Sequence, residues 1–131
     1  MAATFNVSVV TPEREVLAGA ARFVALPAYD GEMGILANRA PLVVQLGSGR
    51  LRVDLEDGSK RELFVSGGFA QMVDDRLSVL TEEAVEPGAV ADGAPRESLA
   101  AAQKLPAGTE EAWTRKQRAL ARARALGRIK R

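Results

Sequence analysis

In "TFNVSVV", Phe5, Val7 and Val9 alternate with Asn6 and Ser8. A two-residue period of this kind predicts a strand with one buried face. "RFVAL", ahead of Pro27, is a second β-type run. "RLRVDLE" is the clearest of them: Leu51, Val53 and Leu55 alternate with Arg50, Arg52, Asp54 and Glu56, after a Gly47-Ser48-Gly49 turn and before Asp57-Gly58. An Asp-Gly pair favours positive φ and marks a hairpin. "RELFVSGG", "FAQMVDD" and "RLSVLTEE" follow, separated by Gly67-Gly68 and Asp74-Asp75. Short strands with turns at such intervals predict a β-sandwich or a barrel.

After residue 86 the pattern changes. "EEAVEPGAVADGAP" (82–95) is acidic, then rich in Gly and Pro, and reads as a linker. Pro95 suits the first turn of a helix, where its missing N–H costs nothing, and "RESLAAAQKL" runs from there to a stop before Pro106. Thr109 is a candidate N-cap, with Glu110 and Glu111 where the helix dipole favours acids. Trp113, Ala119, Leu120, Ala123 and Leu126 share one arc of the last helix, interrupted by Lys116, while Arg115, Arg118 and Arg122 lie off it. The stripe is narrow and alanine-rich, so the two helices should form a weakly docked hairpin. The division expected is 1–86 for the β domain and 87–131 for linker and helices.

Composition removes several functions. The 131 residues suit one domain with an appendage, and 47% hydrophobic with 27% charged residues is ordinary globular composition. Neither cysteine nor histidine is present. Disulfides, thiolate metal sites and the commonest general base are thereby excluded. The longest apolar stretches fall far short of the roughly 20 residues that span a bilayer, and the N-terminus lacks the basic and apolar regions of an export signal. The net charge of +1 hides an asymmetry: residues 1–86 hold 13 acids and 8 bases, residues 110–131 hold 2 acids and 8 bases. A tail of that sign seeks an acidic surface, or is a solvated arginine-rich helix face.

"DGEMGILANRAPLV" (30–43) is the stretch with the most unusual chemistry. A phosphate-binding loop needs Lys-Ser/Thr after its glycines, or Gly-x-Gly-x-x-Gly between strand and helix. Here Gly31 and Gly34 lead into Ile35-Leu36 with no lysine near. The adjacent acids Asp74-Asp75 and Glu82-Glu83 fall in turns, where carboxylates are usually solvated. "SGGF" (66–69) lacks a nucleophile elbow, and its glycines predict a bulge or a close backbone approach.

"NVSVVTPEREVLAG", "DGEMGILANRAPLV", "VSGGF" and an Ala/Arg-rich helical end, in that order, resemble the epsilon subunit of the F-type ATP synthase, called delta in mitochondria. The resemblance covers essentially the whole chain and rests on the combination rather than on one motif. It implies a β-sandwich of about ten strands in two sheets, followed by a C-terminal helical hairpin. It also implies a non-catalytic rotor component, joining the gamma subunit to the c-ring and coupling proton translocation to ATP synthesis. Such a protein is peripheral, on the cytoplasmic side of the bacterial membrane, without inserting into it. Gly31, Glu32, Met33, Gly34 and Arg39 then form the loop that contacts ring and stalk. Arg115, Lys116, Arg118, Arg122 and Arg124 are the tail residues that would meet the alpha and beta subunits and inhibit hydrolysis. No catalytic, cofactor-binding or metal residue is implied.

Two departures from the family pattern bear on function. Where relatives commonly carry Pro-Gly-His or Pro-Asn-His before Ala-Pro-Leu, this chain has Ala37-Asn38-Arg39. A permanent cation there replaces a titratable ring. Some bacterial relatives bind ATP through Ile/Leu-Asp-x-x-Arg-Ala, whereas Ala91–Arg96 has other spacing and an intruding Pro95. No nucleotide binding is expected. The alternative from another class is a β-domain whose basic tail binds nucleic acid, against which stand the acidic sandwich and the single Trp and Tyr.

Overall fold

The computed structural model describes residues 3–129; the last two cations of the basic tail, Lys130 and Arg131, lie outside them. Nine strands are followed by two helices among the described residues: β1 (Phe5–Val10), β2 (Glu15–Ala28), β3 (Gly31–Leu36), β4 (Leu42–Gln45), β5 (Ser48–Leu55), β6 (Lys60–Ser66), β7 (Phe69–Val73), β8 (Arg76–Leu80), β9 (Glu83–Val85), α1 (Ala94–Gln103) and α2 (Glu110–Ile129). The strands form one continuous sheet in the order β4-β7-β8-β1-β2-β5-β6-β9, with β3 added beside β2. All pairings are antiparallel except β1 with β8. The fold is thus the expected sandwich, with nine strands where about ten were expected, and its two layers are one folded-over sheet.

β2 is the strand on which the sheet turns. It runs 14 residues, pairing with β1 through its first half and with β3 and β5 through its second. Its residues in the sandwich core are Leu17 and Ala21, then Val24, Leu26 and Ala28, while Ala25 is buried outside that core. The inward phase therefore switches from odd to even residues. The switch coincides with a register shift between Ala21 and Phe23, and a bulge of this kind both flips the facing residue and bends the strand. Arg22, at the bulge, donates from Nη2 to the Glu56 carbonyl at 2.6 Å. The phase break explains why alternation along the sequence revealed only "RFVAL" and missed the first half of the strand.

Inward residues from both layers make one core of 19 buried side chains, including Phe5, Val9, Ile35, Leu51, Met72 and Val79. A second cluster is smaller: Phe64 of β6 with Val90, Ala125, Leu126 and Ile129. β6 buries Leu63, Phe64 and Val65 in succession because Leu63 and Val65 face the sandwich core while Phe64 faces α2. A strand with three consecutive buried apolar residues is one covered on both sides.

The turns carry their expected chemistry. Gly58 has φ +91°, and Asp57 accepts from the Ser59 amide and hydroxyl at 2.8 and 2.6 Å, closing the β5–β6 hairpin. Asp74 and Asp75 both adopt left-handed backbone, as a two-residue hairpin turn requires. Pro95 occupies the first turn of α1, and the Thr109 hydroxyl accepts from the Ala112 amide at 3.1 Å, capping α2. The segment read as a linker is partly ordered into the sheet: Glu83–Val85 is β9, paired with Phe64–Ser66 of β6.

Candidate functional site

The stretch 30–43 is not one loop. Gly31–Leu36 is a strand, paired residue for residue with Phe23–Ala28 of β2, and only 37–41 connects it onward. Gly31, with φ +139° opposite Ala28, is a backbone position that side chains rarely adopt. Gly34 has a different reason to be glycine: a Cβ there would sit 2.9 Å from the Phe23 ring, which lies across it. The Arg52 guanidinium stands 5.5 Å from the same ring's centroid and pairs with Asp54 at 3.3 Å. The glycines thus build a flat hairpin rather than a flexible tip.

Glu32 is exposed near the hairpin end, opposite Pro27, while Met33 is half-buried against the sandwich core. Arg39 lies at the other end of β3, in the exposed connection to β4. Its neighbour Asn38, at φ +62°, donates its amide to Asp75 Oδ1 at 2.7 Å, tying that connection to the β7–β8 turn. Gly31, Glu32, Met33 and Gly34 are therefore brought together, and Arg39 is not brought to them.

An apolar surface that alternation alone did not reveal lies on the outside of β4, β7 and β8. Val43, Phe69 and Leu80 are 67%, 57% and 54% exposed. Phe69 is directly opposite Leu80 on β8 and Gln45 on β4, and Val43 sits diagonally from it on the same face. Large apolar side chains clustered on a sheet face mark an interaction surface more strongly than scattered ones. The signal in the sequence was an apolar residue in the outward phase of a strand: in "FAQMV", Ala70 and Met72 face inward, so Phe69 must face out.

The tail is docked. α2 buries only its last turns, through Ala123, Ala125, Leu126 and Ile129, and none of its residues before Ala123 is buried. Arg115, Arg118 and Arg124 are exposed and Lys116 is half-buried; Trp113, placed on the apolar arc by periodicity, is 54% exposed. Arg122 corrects the helical-wheel reading. It faces the sandwich: Nε donates to Glu83 Oε2 and Nη2 to Oε1, both at 2.8 Å, and Nη1 donates to Ser98 Oγ of α1 at 3.3 Å. Its guanidinium is 5.9 Å from the centroid of the Phe64 ring. The paired carboxylate raises the Arg122 pKa above its already high ordinary value, so the cation is permanent. The sequence reading missed Glu83 because it fell in the supposed linker, and missed Phe64 because "LFV" was read as a strand without asking what covered its second face.

Comparison with known proteins decides the family. Residues 4–87 match the family described as "ATP synthase, Delta/Epsilon chain, beta-sandwich domain". The chain belongs to that family. It is 44% identical over 116 residues to the ATP synthase epsilon chain of Rhodopirellula baltica, covering 88% of this chain and 90% of that one. It is 36% identical over 101 residues to the epsilon chain of Verminephrobacter eiseniae, covering 77% and 73%. Among solved structures, a chain of the Euglena gracilis mitochondrial ATP synthase (OSCP/F1/c-ring, rotational state 1) superimposes with TM-score 0.81 at 26% identity, over 96% of this chain and 81% of that one. A chain of the Tetrahymena thermophila central stalk and c-ring shares the fold at TM-score 0.71 and 12% identity, over 96% of both. Among the described residues, no helix is long and apolar enough to cross a membrane.

Proposed function

We propose that this chain is the epsilon subunit of a bacterial F-type ATP synthase, a non-catalytic member of the central stalk. The observation that carries the reading is a match to epsilon chains along most of its length on a fold that leaves Val43, Phe69 and Leu80 exposed on one sheet face. The face of Val43, Phe69 and Leu80 is the surface offered to gamma, and the β2–β3 hairpin end with Glu32 is offered to the c-ring. The basic face of α2 is offered to alpha and beta, whose acidic segments would let it slow ATP hydrolysis. The protein would then sit peripherally on the cytoplasmic side of the membrane. Residues 1–86 act as the assembly domain and 87–131 as the regulatory one. Nucleic acid is not favoured as a partner: the exposed aromatics Tyr29, Phe69 and Trp113 lie apart in the sequence of elements, in the β2–β3 turn, on β7 and on α2, and offer no run of stacking residues along one strand or helix.

Co-expression with the gamma subunit of the same organism, followed by size exclusion, tests the assignment. The two should co-elute, and Phe69→Asp with Leu80→Asp should separate them without unfolding the chain. Independent elution of the wild-type pair at micromolar concentration would overturn it.

A further inference from the structure

Arg122 touches three elements, two of them in the sandwich and one in the helical tail. Glu83 is on β9 of the sandwich, Ser98 is on α1, and the Phe64 ring beneath belongs to β6. The Glu83 contact is bidentate, the geometry in which an arginine–carboxylate pair is strongest. Both side chains are only about one-third exposed, at 36% and 32%, which protects the pair partly from solvent screening. The apolar contacts nearby are few and small apart from Phe64, Leu126 and Ile129. Among the described residues, the other ion pairs lie within the sandwich and its edge, and none joins it to α2.

We propose that Glu83 and Arg122 form a clasp that holds α2 on the sandwich and at the same time withholds Arg122 from any outside carboxylate. Glu83 thus acts as an internal stand-in for an acidic partner surface. Releasing the tail and arming its basic face become one event, because the Nε/Nη2 edge that grips Glu83 cannot grip a partner carboxylate at the same time and Nη1 is held by Ser98. The holding function rests on the geometry alone; the arming function rests on the reading of the tail given above.

The absence of cysteine from the chain makes the test direct. Spin labels at Lys60→Cys on β6 and Gln117→Cys on α2, both exposed positions, report the distance between sandwich and tail in the isolated full-length protein. The docked protein should give one narrow distribution. Glu83→Gln and Arg122→Gln should each broaden it towards long distances, with α2 amide exchange faster by about tenfold or more. The exchanged pair Glu83→Arg with Arg122→Glu should restore most of the docked population, whereas Phe64→Ala, which also loosens the tail, is not rescued by any charge exchange. Unchanged distances in both single variants, or no recovery in the exchanged pair while β1 and β8 amides stay protected, would overturn the clasp. In the assembled complex, Glu83→Gln should lower ATP hydrolysis because the tail is freed with Arg122 intact, and Arg122→Gln should not. An undocked tail with unchanged hydrolysis in Glu83→Gln would keep the clasp and remove the arming role.

Discussion

At the scale of single residues, glycines that look alike in the sequence are there for different reasons. Gly31 is needed for its backbone angle and Gly34 for the room it leaves the Phe23 ring. Gly68 is needed for both: its φ is +95°, and a Cβ would come within 1.9 Å of the Leu80 carbonyl oxygen. The buried Thr81 beside it has its hydroxyl 2.8 to 3.1 Å from the carbonyls of Gly67, Ser66 and Glu83, fixing the backbone that would have to move. Gly68→Ala should therefore destabilise the sandwich by about 2 kcal/mol or more. Urea unfolding checks this, and an unchanged midpoint would show that the backbone yields. Glu32 is the opposite case. It is exposed on a strand whose backbone is already paired, so Glu32→Lys should change stability by less than about 0.5 kcal/mol. The same substitution should weaken the coupling of proton flow to ATP turnover in membranes. Full coupling in that variant would remove Glu32 from the contact with the ring.

At the scale of elements, the strands recovered from alternation are those with one wet face. β1, β7 and β8 fall in that group. β5 was recovered with them because its outer face, though crossed by α2, carries Arg50, Arg52 and Asp54 rather than apolar residues. The turns were marked by Gly or Asp pairs. β9 escaped because a three-residue strand is too short to show a period, and it exists only because β6 presents an open edge. β6 itself was recognised as a strand, but its double-sided burial was not. Phe64 is the residue that joins the two parts of the molecule, being fully buried under α2. Replacing a buried Phe by Ala ordinarily costs about 3–5 kcal/mol. Here the loss falls on docking, since the ring belongs to the small cluster and not to the sandwich core. Phe64→Ala should thus accelerate amide exchange throughout the last turns of α2 while leaving β1 and β8 nearly as protected as before. Equal loss of protection in both would mean that tail and sandwich unfold as one unit.

At the scale of the molecule, the contrast between 19 buried side chains in the sandwich core and five in the second cluster decides where stability resides. The sandwich has a core of its own, and the helices lean on it. Deleting residues 95–131 should leave the sandwich folded and able to bind gamma, with Phe64 newly exposed, and should raise ATP hydrolysis by the assembled complex. Neutralising Arg115 and Arg118 alone should reproduce part of that rise without undocking the tail, because both are exposed in the docked state. Hydrolysis no faster in the truncated complex than in the intact one, at low proton-motive force, would make the tail a structural appendage.

Local physics is written locally, and so the sequence by itself determined the strand periods, the hairpin turns at Asp57-Gly58 and Asp74-Asp75, the Thr109 cap, the proline-started α1 and the charge of the tail. Alternation and capping depend on residues a few positions apart, and no tertiary contact is needed to express them. Tertiary structure alone decided that β2 changes phase at a bulge and that Gly34 yields its space to Phe23. It also decided that Arg39 stands apart from Glu32, and that Arg122 turns from solvent to meet Glu83 across 39 residues of chain. Each of these depends on a partner distant in sequence. Whether a face is wet or covered, and whether a cation is free or paired, is settled by what folds back against it.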